Sequence, residues 1–173
     1  AGMINEVADK IFLKFLIVDK TVAMEQVGIY GANYKLAVLM TIFIQMFRYA
    51  AEPFFFANEK EKNAKNLYAD VMKYFVIFGL LIYMFVILYI DIVKYFIDIK
   101  FHEGLKIVPV VLLANLFLGI YYNLSVWYKL TNKTIYGAII AAFGAILTIA
   151  LNFILIPKIG YFGSAIATIV CYF

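Results

Sequence analysis

One cysteine, Cys171, in 173 residues leaves no intrachain disulfide to staple a fold. The single histidine, His102, has no second histidine or cysteine near it, so the chain offers no zinc-type ligand set. Charge is scarce as well. Asp, Glu, Lys and Arg make up 15% of the chain, against roughly 25% in soluble domains. The net charge of +4 is spread out with no arginine-rich cluster, which argues against a nucleic-acid partner. The sequence contains no GxSxG, P-loop, HExxH or paired-cysteine motif. The chain is therefore not read as an enzyme, no cofactor is expected, and nothing supports direct coupling to ATP. It opens Ala1-Gly2-Met3 without a signal-peptide pattern and stops inside an apolar run at Phe173, so both ends read as cut from a longer membrane protein.

What is abundant is apolar surface. Hydrophobic residues account for 66% of the chain and the mean hydropathy is +0.93, more than a soluble fold of this size can bury. The expected class is all-α: a polytopic membrane helix bundle of about five to six transmembrane helices. Candidate spans are 1–18, 30–51, 71–90, 107–127, 135–156 and an incomplete 162–173. The segment from Asp19 to Gly31 is polar and glycine-bearing and reads as a connection. The charged stretch 58–65 reads as a solvated loop, and 91–106 as an interfacial excursion of mixed aromatic and charged residues. Pro109 falls in the first turn of its span, where proline is tolerated. Gly137, Ala141, Gly144, Ala145, Thr148 and Asn152 form a small-residue stripe suited to close helix contact. Loop lysines and arginines divide almost evenly between the two sides, so charge alone leaves the orientation open.

Polar groups inside the spans carry the functional argument. The run Ala37 to Pro53 holds Thr41, Gln45, Arg48 and Glu52 at spacings of four, three and four, within about 60° of one another on a helix. Arg48 and Glu52, at i,i+4, are close enough to pair. An ionised side chain at bilayer depth costs roughly 2.5–3.5 kcal/mol, so such groups should face partners or a wet cavity. Two readings stand: the pair lines a hydrophilic path, or it sits at the membrane edge and ends its helix at Pro53. Asn5, Glu6, Asp9 and Lys10 form a second polar arc, and Asn115 and Asn152 are lone amides in later spans. Together these ten residues are the expected lining of a shared transport cavity. A guanidinium there can bind phosphate bidentately, while carboxylates balance its charge or take a coupling cation.

Four stretches, INEVADKIFLKFLI, QVGIYGANYKLAVLMTIFIQMFRYAAEPFFF, GIYYNLSVWYKLTNKTIYGA and LNFILIPKIGYFGSA, resemble the second half of bacterial polysaccharide or O-antigen repeat-unit flippases. That family belongs to the MOP superfamily, with MATE exporters and the peptidoglycan lipid flippase as relatives. The resemblance implies 12 to 14 helices in two lobes around a central cavity, this chain supplying most of the second lobe. It implies alternating access and a multi-pass place in the bacterial inner membrane. The implied partners are the lipid bilayer, an undecaprenyl-diphosphate-linked oligosaccharide as substrate, H⁺ or Na⁺ as coupling ion, and a polysaccharide polymerase. The alternatives are a cation-coupled MATE-like antiporter and a non-transporting membrane scaffold whose polar groups only knit helices together.

Overall fold

Among the residues described by the computed structural model, 2–61 and 63–173 with side chains from Val7 onward, the chain is helical throughout. The order is α1 (Gly2–Leu16), α2 (Lys20–Leu36), α3 (Val38–Ala57), α4 (Ala64–Leu88) and α5 (Ile90–Val93). Two 3₁₀ segments follow, Lys94–Phe96 and Ile99–Ile107, then α6 (Val108–Leu130), α7 (Thr134–Ile159) and α8 (Tyr161–Tyr172).

Three stretches, α4, α7 and the continuous Ile99–Leu130, are long and apolar enough to cross a bilayer, and α2 with α3 makes a fourth if the pair is one bent span. Among the described residues three to four helices are thus long and apolar enough to cross, consistent with a multi-pass membrane bundle, where the sequence suggests five to six. The expected span 1–18 is the 15-residue α1. The expected span 162–173 is the 12-residue α8. The presumed connection after Asp19 is the helix α2. Asp19 starts it as an N-cap, its carboxylate accepting from the amides of Thr21 (2.8 Å) and Val22 (3.4 Å). Gly28 and Gly31 sit inside α2 because Phe101 and Lys10 pack across them. A 51° bend at Ala37 then separates α2 from α3, so 30–51 is not one straight rod.

Neither proline ends its helix where the sequence places the boundary. Pro53 lies in the last turn and a half of α3, which runs on to Ala57, where the Asn58 amide donates to the Phe54 carbonyl at 3.2 Å. Pro157 likewise lies two residues before the end of α7. So near a terminus, a missing proline N–H removes one bond without dismantling the turns behind it.

Helix α6 is the axis of the bundle. Of its most apolar window 56% is buried, against 17% in α4 and α7. The outer faces of α4 (Ile77, Phe78, Leu81, Phe85) and α7 (Ile139, Phe143, Ile146, Phe153) are exposed and apolar. Such faces suit acyl chains, since lipid tails leave no penalty on outward leucine, isoleucine or phenylalanine.

The α7–α8 hairpin turns at Gly160, whose φ of 59° and ψ of −139° favour glycine. The Gln26 side chain of α2 fills the space a Cβ would take, and its Oε1 accepts from the Tyr161 amide at 2.9 Å. Gly160→Ala is therefore expected to lower stability by about 1–3 kcal/mol through backbone strain and a displaced cap. A melting temperature in detergent equal to wild type would refute that.

Candidate functional site

The polar residues gather in two places, which corrects the expectation of one shared hollow. The first centre is fully buried. Asp9, wholly buried in α1, accepts from Tyr30 Oη at 2.8 Å and Thr168 Oγ1 at 2.9 Å through Oδ2, and from Asn152 Nδ2 at 3.1 Å through Oδ1. One carboxylate thus ties α1 to α2, α7 and α8. Asn152 Nδ2 also reaches the Thr148 carbonyl at 3.0 Å, and Thr168 Oγ1 lies 3.1 Å from the Ser164 carbonyl. The Oδ1 of Asn152 is buried with no hydrogen-bond partner among the described residues, and the buried Ser164 hydroxyl lies beside the Asp9 carboxylate. The groups holding Asp9 are two hydroxyls and an amide N–H, all donating to the carboxylate. Among the described residues no group of three His, Cys, Asp or Glu side chains is placed to hold a metal ion.

The second centre lies between the C-terminal halves of α3 and α6. Lys129 Nζ contacts Glu52 Oε1, and Arg48 Nε lies 3.6 Å from Glu52 Oε2. The Arg48 guanidinium also stands 4.7 Å above the Tyr122 ring, a cation–π distance. Side-chain exposures of 43% for Arg48, 32% for Glu52 and 29% for Lys129 make this a half-open site, unlike the first. Phe47, Phe55, Phe75 and Val126 form its apolar walls, and the cleft encloses about 10 Å³, close to one water. Two cations against one carboxylate leave a surplus positive charge. Lys129 lies in the last turn of α6 and Glu52 within two turns of the end of α3, so the site opens towards one end of the bundle.

Of the remaining expected site residues, Thr41, Gln45 and Asn115 line neither centre. Thr41 is half-buried and Gln45 exposed on α3. Asn115 is buried on α6 with its Nδ2 unpartnered. Lys10 is half-buried and runs past Gly31 of α2. The side chains of Asn5 and Glu6 lie outside the described residues.

Sequence reasoning missed Tyr30, Ser164, Thr168, Tyr122 and Lys129. Ser164 and Thr168 did leave a trace, two hydroxyls at i,i+4 in an otherwise apolar helix. Tyr30 left none, because its partner Asp9 is 21 residues away on another helix. Comparison with protein-family models, curated proteins and solved structures returns no match.

Proposed function

We propose that this chain is the second-lobe portion of a flippase that moves undecaprenyl-diphosphate-linked oligosaccharides across the bacterial inner membrane by alternating access. The observation that carries the reading is the surplus cation at the α3–α6 cleft. Arg48 and Lys129 share one carboxylate, in a half-exposed site walled by phenylalanines and set in a membrane bundle. A diphosphate arriving there takes the bidentate N–H edge of Arg48 while Lys129 stays with Glu52. The phenylalanines offer an apolar wall to the polyprenyl chain. The cleft is too narrow for a diphosphate as it stands, so α3 and α6 must part, which is what alternating access requires.

Arg48→Ala in the full-length protein is expected to reduce surface polysaccharide at least tenfold without lowering membrane abundance. Normal polysaccharide in that strain would end the proposal.

The buried Asp9 centre favours a second reading, a cation-coupled antiporter on the same architecture. In that case Arg48→Ala leaves glycan display intact, and Asp9→Asn removes export of a small cationic substrate. In the flippase reading Asp9 has the humbler place of a coupling-ion ligand, with Asn152 Oδ1 and Ser164 Oγ as further oxygens.

A further inference from the structure

At the end of the bundle opposite the α3–α6 cleft, the 3₁₀ segment Ile99–Ile107, the end of α1, the end of α7 and the N-terminus of α8 surround an open cavity of about 480 Å³. Its rim is polar. Lys106 Nζ lies 3.9 Å from Glu103 Oε1 and 5.2 Å from the centre of the Tyr161 ring, and Tyr161 Oη donates towards Glu103 at 3.3 Å. Lys158 also lines the cavity, is exposed, and has no acidic partner among the described residues. The floor is apolar, built from Leu16, Ile17, Ile156, Ile159 and Phe162.

The depth of this end in the bilayer is marked by a neighbouring feature. Between α4 and α6 the chain runs through Tyr95, Phe96 and Ile99, each more than 80% exposed. Ion pairs Lys94–Asp91 and Lys100–Asp98 flank them, and His102 Nε2 pins the turn to the Lys94 carbonyl at 3.1 Å. Exposed aromatic rings beside paired charges are the chemistry of the headgroup boundary. The cavity shares that end through Glu103 and Lys106, so it opens at headgroup depth.

We propose that this cavity binds an anionic membrane phospholipid. Lys106 and Lys158 hold the headgroup phosphate, and the first methylenes of an acyl chain lie on the Ile17–Ile159–Phe162 floor. Two lysines against Glu103 leave a surplus positive charge where lipid phosphate resides, and basic pockets between transmembrane helices bind such headgroups. The apolar floor favours a lipid over free phosphate, which has nothing to place there. The site is separate from the Arg48 cleft and does not depend on what that cleft transports.

The test is native mass spectrometry of the full chain in detergent, titrated with phosphatidylglycerol or phosphatidylcholine. Wild type is expected to bind phosphatidylglycerol about tenfold more tightly, and the Lys106→Gln, Lys158→Gln double variant to lose that preference. A control pair at the other end, Lys60→Gln with Lys65→Gln, is expected to keep it. No preference in wild type, full preference in the double variant, or an equal loss in the control would each overturn the proposal. Displacement of the lipid by millimolar inorganic phosphate would overturn it in favour of a small-anion site. If the double variant does not fold, Lys158→Gln alone decides, since that side chain has no acidic partner to lose; an unchanged preference counts against the lipid.

Discussion

Asp9→Ala is expected to destabilise the chain by about 2–4 kcal/mol, the largest effect of any single side-chain removal among the described residues. The wild-type carboxylate satisfies three donors from three helices in a fully buried place. Each buried donor left without an acceptor costs about 1–3 kcal/mol. The losses are unequal. Asn152 keeps the Thr148 carbonyl and Thr168 can turn to the Ser164 carbonyl, while the Tyr30 hydroxyl loses the Asp9 oxygen it donates to at 2.8 Å. Asp9→Asn keeps one acceptor oxygen and should cost about 1 kcal/mol. Tyr30→Phe should cost about the same, since it removes one donor while Asp9 Oδ2 keeps the Thr168 hydroxyl. Melting in detergent micelles reads the series. The order Ala, then Asn and Tyr30→Phe, then wild type is the expected one, and an alanine variant as stable as wild type would show that Asp9 does not tie the four helices.

Gly163→Ala is expected to cost about 1–3 kcal/mol, and Gly163→Val more. The Cβ position of residue 163 lies 2.8 Å from both the carbonyl carbon and oxygen of Leu155. That neighbour is backbone, so no rotamer change can relieve the clash. Helix α8 must move off α7, and the movement carries Thr168 away from Asp9. A double-mutant cycle with Thr168→Val separates the two consequences. If α8 is already displaced, removing the hydroxyl costs little extra, and the two effects sum to less than their parts. Strict additivity would mean that the hairpin absorbs the added methyl locally, leaving the Asp9 centre untouched. The same close approach explains the Cys171 thiol, which donates to the Gly144 carbonyl at 3.3 Å near the other end of the pair.

Some of this was legible in the residues. The i,i+4 spacing of Arg48 and Glu52 put them within reach of each other, and the structure has them 3.6 Å apart. The small-residue stripe on α7 does meet neighbours where the spacing put it, Gly137 against Tyr128 and Gly144 against Cys171. The segment after Asp19 misled because glycines and polar residues mark turns only when nothing packs over them. Phe101 and Lys10 do so here. Hydropathy scores a stretch as apolar whether its face meets lipid or protein, so α1 and α8 read as apolar spans from sequence, and the structure packs each of them on α7.

Composition, at 66% apolar residues, points to a membrane setting, and the length of the apolar runs points to helices. Local spacing alone determined which polar groups share a helix face. Only the tertiary structure decided that Asp9 belongs with Tyr30, Asn152 and Thr168 while Glu52 belongs with Lys129, 77 residues along. Periodicity orders side chains around one axis and carries no information about which axis lies alongside. That choice is made by close packing of whole helices, where single glycines such as Gly163 set how near two axes can come.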